Sequence, residues 1–200
     1  MHGCRAFNVA EAWVQTKRIK GFTLIEVLVA ILVLAVGVLG AARSQLGAMQ
    51  TRQATGLMST GVHLAGSLAE RMRANPRQLA GDDALNAYLQ FNYDALTDGP
   101  PAAPGVMCFA LAHCDSAQMA AFDLYEIAQA LHAGFPGARV TVCRDAAVVA
   151  ASGTALMWPC AGGSGAPIVI KLGWRTRGAN AGDEASFVPT VAIIAAGASS

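Results

Sequence analysis

Residues 22–42, FTLIEVLVAILVLAVGVLGAA, hold one charged residue, Glu26, in a run of 21. A helix rises about 1.5 Å per residue, so the run reaches about 30 Å, the thickness of bilayer hydrocarbon, and it reads as a membrane span. Beyond Ala42 the pattern turns one-faced. Leu46, Met49, Leu57, Leu64, Leu68 and Met72 are separated by three, eight, seven, four and four residues, close to whole helical turns, and Met58, Val62, Ala65 and Ala69 widen that stripe. No proline interrupts residues 22–75, and Asn75-Pro76 supplies a stop, because the residue before a proline is pushed out of the helical region. The pattern predicts one helix over 22–75, apolar all round in its first half. Glycines at 37, 40, 47, 56, 61 and 66 each cost about 1 kcal/mol relative to alanine, so such a helix needs neighbours. Gly40 and Ser44 form a small-xxx-small pair that admits another helix closely.

From residue 77 to 107 the chain is polar, punctuated by Asp82-Asp83, Thr97-Asp98-Gly99 and GPPAAPG, and predicts a long connection with one short helix around Asp83 to Gln90. A second helix follows. Asp115 with Gln118 forms a capping box, Ala120, Leu124, Ile127, Ala128 and Leu131 give one face, and Gly134 and Pro136 end it. The period then becomes two: Val140 and Val142 share a face, as do Ile168, Ile170, Leu172 and Trp174, and Phe187 to Ile194 forms a strand carrying Pro189. Glycine-rich turns between these runs predict an antiparallel meander with the proline strand at an edge, and the stripe of residues 46–72 packed on the sheet.

The chain has 200 residues, 54% hydrophobic and 14% charged, which excludes disorder as the overall class. Residues 1–21 carry Arg5, Lys17, Arg18 and Lys20 against Glu11, or +3 of the formal total of +1, so the remainder sums to −2. That balance disfavours nucleic acid as a partner. The basic flank before the apolar run places residues 1–21 in the cytoplasm and sends the C-terminal part across the membrane. Of the five cysteines, Cys4 precedes the span; Cys108, Cys114, Cys143 and Cys160 follow it, an even set in an oxidising compartment, which favours disulfides. Chain order suggests Cys108–Cys114 and Cys143–Cys160, although four cysteines allow three connectivities. The rival is zinc held by Cys108, Cys114, His113 and His132, in a spacing that matches no standard motif.

A carboxylate inside an apolar run costs on the order of 3 kcal/mol at mid-bilayer and less near an end, so Glu26, one turn into the run, is read either as an interfacial group reaching headgroups or water or as one that has a partner. Cleavage after Gly21 would create an amine on Phe22, four residues before Glu26, and the two charges could neutralise each other. Lys20-Gly21-Phe22-Thr23-Leu24-Ile25-Glu26 and the apolar run behind it resemble the signal of type IV pilins and pseudopilins. The resemblance implies removal of leader 1–21 by a prepilin peptidase, cleavage between Gly21 and Phe22, N-methylation of Phe22, and retention of the helix as anchor and later as filament core. It implies that Glu26 pairs with the terminal amine of an adjacent subunit during assembly. ILVLAVGVLGAARSQLGAMQ, LAERMRANP, CDSAQMAAFDLYEIAQAL, VTVCRD and IVIKLGW further resemble PilV-type minor pilins over most of residues 16–178. The fold so implied is α+β, the type IV pilin fold: a long N-terminal helix (22–75, of which 22–42 spans the membrane) on a small antiparallel sheet, with an extra helix and disulfide loops in an exported domain, 76–200. The implied partners are the other minor pilins, the major pilin and the inner-membrane assembly platform, with an inner-membrane location before assembly and the pilus afterwards.

Catalytic patterns are scarce. Ser164 in GGSG fails the nucleophile-elbow spacing and reads as a turn; Asp82-Asp83 and Asp94/Asp98 fall in loop-like sequence; His63, His113 and His132 have no evident acid partner. No enzyme activity, cofactor or metal is expected. Arg71, Arg73 and Arg77 near the helix end read as solvated complements of the helix C-terminus, with a neighbouring subunit or DNA as the sharper reading. A type II secretion pseudopilin and a filament-displayed adhesin or DNA-binding subunit are the alternatives to a minor pilin.

Overall fold

The computed structural model describes residues 21–109, 112–175 and 187–197; leader residues 1–20, with Cys4 and the basic flank, lie outside the described residues. The chain divides into two units, Met1–Gln50 and Thr51–Ser200, and helix α1 (Leu24–Ala74, 51 residues) contributes to both. In the first unit α1 opens at Thr23: the Glu26 amide donates to Thr23 Oγ1 at 3.4 Å and to Thr23 O at 3.1 Å, and Val27 N to Thr23 O at 3.3 Å. A hydroxyl there satisfies one of the donors that a helix start leaves without partners. Every residue from Gly21 to Gln50 is exposed. A helix apolar on all sides needs lipid or other chains around it.

The second unit holds α2 (Pro76–Leu79), β1 (Asn92–Asp94), α3 (Ser116–Gly134), β2 (Arg139–Arg144), β3 (Ile168–Gly173) and β4 (Val191–Ala196). The strands form one antiparallel sheet in the order β1-β2-β3-β4, a meander in which Val140 faces Leu172 and Val142 faces Ile170 across β2 and β3. The inner face presents Tyr93, Val140, Val142, Ile168, Ile170, Leu172, Trp174, Val191 and Ala195 to α1 and α3, which bury Ala65, Leu68, Ala69 and Met72, and Ala120, Leu124, Ile127, Ala128 and Leu131. At α3 the Asp115 carboxylate accepts from Gln118 N at 2.8 Å while Gln118 Oε1 accepts from Asp115 N at 3.0 Å, the capping box expected from the sequence.

Five features depart from the sequence expectations. The helix around Asp83 to Gln90 does not form. Asp82 Oδ1 and Asn86 Oδ1 instead accept from Ala84 N and Tyr88 N, and such local side-chain bonds hold the segment in successive turns. The supposed connection also supplies α2 and the edge strand β1. Pro189 precedes β4 rather than lying in it; the strand starts two residues later and still occupies a sheet edge. The α1 stripe is buried from Gly61 onward with Leu57 and Leu64 packed against the core, whereas Leu46, Met49, Met58 and Val62 stay exposed. Finally, β3 is buried on both faces: Val169 and Lys171 point away from the helices yet are 1% and 0% exposed. The long β2–β3 connection folds over them, bringing Pro159 O to 2.8 Å from Lys171 Nζ.

Candidate functional site

Two regions carry the residues singled out from the sequence. At the N-terminal end, Gly21, Phe22 and Thr23 are non-helical and exposed, and Glu26 lies in the first turn of α1. Phe22 is 80% exposed. Glu26 is the sole acidic group of that first turn, where the partial positive charge of the helix N-terminus favours a carboxylate. Over its apolar half, α1 is long and apolar enough to cross a membrane.

The second region is the end of α1 and its junction with α3. Arg71 Nη1 reaches Asp123 Oδ1 at 3.0 Å and Glu126 Oε2 at 2.5 Å. The Tyr88 hydroxyl donates to Asp123 Oδ2 at 2.7 Å, so both oxygens of that carboxylate, 6% exposed, are satisfied. Burial, and then the neighbouring Asp123 carboxylate, push the Tyr88 phenol well above its ordinary range. Asn75 donates through Nδ2 to Ser116 O at 2.8 Å and accepts from Ser116 Oγ at 2.8 Å, tying the residue that ends α1 to the start of α3. Arg73 pairs with Glu70 at 2.6 Å and donates to Ile194 O of β4 at 3.0 Å. Arg71 and Arg73 are therefore committed within the fold, which corrects the reading of the cluster as a solvated complement of the helix end; Arg77 is exposed on α2.

The network joins two motifs. LAERMRANP supplies Arg71 and Asn75, and CDSAQMAAFDLYEIAQAL supplies Ser116, Asp123 and Glu126, so what the sequence presents as two separate signatures is one polar joint. Sequence reasoning missed Tyr88 and Asn75 as members; their signal was the motif around Asn75, whose partners only the fold reveals.

Cys108 is bonded to Cys114 and Cys143 to Cys160, with Cα–Cα distances of 5.8 and 6.2 Å. The zinc alternative loses its thiolates to the first bond. His113 is exposed, His132 Nδ1 lies 3.0 Å from the Tyr93 hydroxyl, and no group of three His, Cys, Asp or Glu side chains is placed to hold a metal among the described residues. Asp83 receives Arg144 through two bonds of 2.5 and 2.8 Å, which hold its carboxyl below the ordinary range, and Asp98 accepts from Asp94 N at 2.8 Å. Both acidic pairs thus fasten turns. Ser164 lies in an exposed turn and His63 on the exposed side of α1.

A deeper pair was not anticipated. Lys171 Nζ lies 2.5 Å from Asp145 Oδ2, with both side chains 0% exposed, while Asp145 Oδ1 accepts from Ala147 N and Ala161 N. Burial alone would raise the Asp145 carboxyl; Lys171 and the two amides outweigh it and hold the group below its ordinary range. With the Cys143–Cys160 bond, this pair fastens the β2–β3 connection to the sheet.

Comparison with known families meets both regions. Residues 16–42 match the prokaryotic N-terminal methylation motif, and residues 44–125 match the Tt1218-like family model, described as type IV pilin Tt1218. The second match covers LAERMRANP and the α3 motif as far as Tyr125, so it includes Arg71, Asn75, Ser116 and Asp123 of the polar joint and stops one residue before Glu126. No curated protein and no solved structure matches the chain. The family is one of structural proteins, its signal implies processing by a prepilin peptidase and assembly with other pilins, and the single apolar helix fits membrane anchoring followed by incorporation into a pilus. A methylation signal, a long N-terminal helix on a four-stranded antiparallel sheet and the matching pilin region identify the chain as a type IV pilin, a subunit of a pilus.

Proposed function

We propose that this pilin is a minor subunit of the PilV type. The prepilin peptidase cleaves between Gly21 and Phe22 on the cytoplasmic face, Phe22 is N-methylated, residues 22–42 hold the subunit in the inner membrane, and residues 76–200 lie on the far side. On extraction the helix exchanges lipid for sister helices, and the Glu26 carboxylate pairs with the terminal amine of an adjacent subunit, setting its axial position. The subunit then joins other minor pilins in a complex that primes assembly and sits at or near the tip, with consequences for twitching motility and adhesion.

The observation that carries this reading is Glu26 itself, one carboxylate four residues after Phe22 in a segment otherwise free of charge. A carboxylate among apolar side chains is costly without a partner, and the terminal amine of a processed Phe22 would supply a cationic one. The minor-pilin assignment is supported by LAERMRANP and the α3 motif, which build a joint in the globular unit rather than serving export.

N-terminal sequencing of the membrane-bound protein tests the processing: the chain should begin at N-methylated Phe22, and an intact leader, or a start downstream of Ala42, would overturn it. Deleting the protein should reduce surface piliation and twitching. Unchanged filaments and motility would refute the priming role.

A further inference from the structure

The buried Lys171 ammonium does more than pair with Asp145. It donates to Pro159 O at 2.8 Å and to Trp158 O at 3.4 Å, two carbonyls of the β2–β3 connection. A buried ion pair is a poor source of stability, since apolar residues of equal volume commonly do as well or better. What this one supplies is position. Trp158 is held by its side chain too: Nε1 donates to Phe187 O at 2.7 Å, the indole meets the Phe187 ring at 5.3 Å, and the Arg139 guanidinium lies over it at 4.7 Å. The wall so fixed bounds a groove of about 500 Å³ on the outer face of the sheet, within the size range of small-ligand sites. Arg139 and Thr141 alternate with the inward Val140 and Val142 and form its floor, while Gln90 and Asn92 line the side opposite Trp158 and Pro159.

The chemistry of the lining selects the ligand. Arg139 carries its one charge among the described residues. Asp94, across β1 from Arg139, already accepts from Leu96 N at 3.0 Å and lies 3.8 Å from Arg175. A guanidinium stacked on an indole keeps its N–H edge for a planar anion, and a carboxylate meets that edge with two parallel bonds. Thr141 Oγ1 donates to Asn92 Oδ1 at 2.8 Å, which leaves the Asn92 amide nitrogen as a donor into the groove. We infer that the groove binds an acidic sugar, a pyranose unit bearing a carboxylate. Arg139 takes the carboxylate, Asn92 and Gln90 take ring hydroxyls, and Trp158 and Pro159 take the C–H face. The floor is a face of the sheet and not an edge, so no row of backbone N–H and C=O groups is offered to an extended peptide. One arginine, in a chain whose residues 22–200 sum to −2, is too little for a polyphosphate backbone. The inference deepens the adhesion named under the proposed function and rests on that reading for one thing, the export of residues 76–200 to where such sugars occur.

Isothermal titration of the full chain in detergent micelles tests it, with trigalacturonic acid in one arm and N-acetylneuraminyllactose in the other. At least one acid should bind with a Kd on the order of 1 mM or tighter. Its neutral counterpart, galactotriose or lactose, should bind about tenfold more weakly. Arg139→Gln should weaken binding of the acid about tenfold and Asn92→Ala about threefold. Arg77→Gln, at an exposed position of α2, should leave it unchanged. Asn92 is exposed, so its variant decides the matter where Arg139→Gln fails to fold. Absence of binding by both acids, equal binding of the neutral sugars, undiminished affinity in either folded groove variant, or an equal loss in the Arg77 variant would overturn the inference. Protease treatment of whole cells and spheroplasts reports export separately. A domain that is exported but binds neither acid refutes the groove alone, and one that binds as stated but proves cytoplasmic refutes the export and leaves the groove standing.

Discussion

A Cβ placed on Gly61 would stand 2.7 Å from Trp174 Cζ3 and 3.0 Å from Cη2, so the indole lies directly on the helix backbone. At Gly66, one and a half turns on, nothing lies within 4 Å. Two chemically identical substitutions should therefore have opposite signs. Gly66→Ala should stabilise the unit by about 0.5–1 kcal/mol through helix propensity, whereas Gly61→Ala should destabilise it by about 1–2 kcal/mol, because overpacking exceeds the same gain. Urea denaturation of both variants measures the difference; equal shifts would show that Trp174 does not pack there. Tyr88→Phe leaves one oxygen of the buried Asp123 carboxylate without its donor and should cost about 1–3 kcal/mol. At the other buried pair, Asp145→Asn strands the Lys171 ammonium and should cost about 3–5 kcal/mol. The pH dependence has a defined sign. Asp145 has a folded-state pKa below its ordinary value, so its contribution is present above the unfolded carboxylate range near pH 4 and is lost as pH falls through the folded value. Stability against pH from 5 to 2 should accordingly fall less steeply in Asp145→Asn than in the parent chain.

At the scale of elements, the C-terminal part of α1 belongs to the globular core. Leu68 and Met72 are fully buried, with Ala65 and Ala69 beside them. A chain beginning at Thr51 should thus fold with native circular dichroism and a cooperative melt. A chain beginning at Pro76 lacks one side of the core and should not. The β2–β3 connection is held at both ends, by Cys143–Cys160 across a separation of 17 residues and by Asp145–Lys171. Opening a loop of that length restores chain entropy to the unfolded state, so Cys143→Ser with Cys160→Ser should lower stability by about 3 kcal/mol, read as a lower melting temperature. The capping box of α3 and five of its six buried apolar residues, all but Phe122, were legible because their spacing depends on local geometry alone. The turns at 82–90 were not. Their sequence suits a short helix, and only the competing bonds from Asp82 and Asn86, with Arg144 holding Asp83, decide against it.

For the whole molecule, the amino-acid order by itself determined the membrane-length apolar segment, the acidic residue within it, the N-terminal methylation motif, the α+β class and the meander. Each follows from periodicity, charge or motif within one contiguous stretch. The cost of a lone carboxylate in apolar surroundings and the 3.6- and two-residue repeats need no knowledge of what lies across the fold. Tertiary structure alone decided which part of the α1 stripe is buried, that β3 has no solvent face, and that two separate motifs meet in the Arg71–Asp123–Tyr88 joint. Those outcomes depend on residues 35 to 52 positions apart and on a connection folding back over the sheet. A period-two pattern places Lys171 opposite the helices, where solvent is the default, and nothing in its neighbours names Asp145 as the group that makes its burial tolerable. The pairing exists only once loop closure brings a distant carboxylate to the ammonium, because the desolvation of each charge is offset by the other and by neither alone.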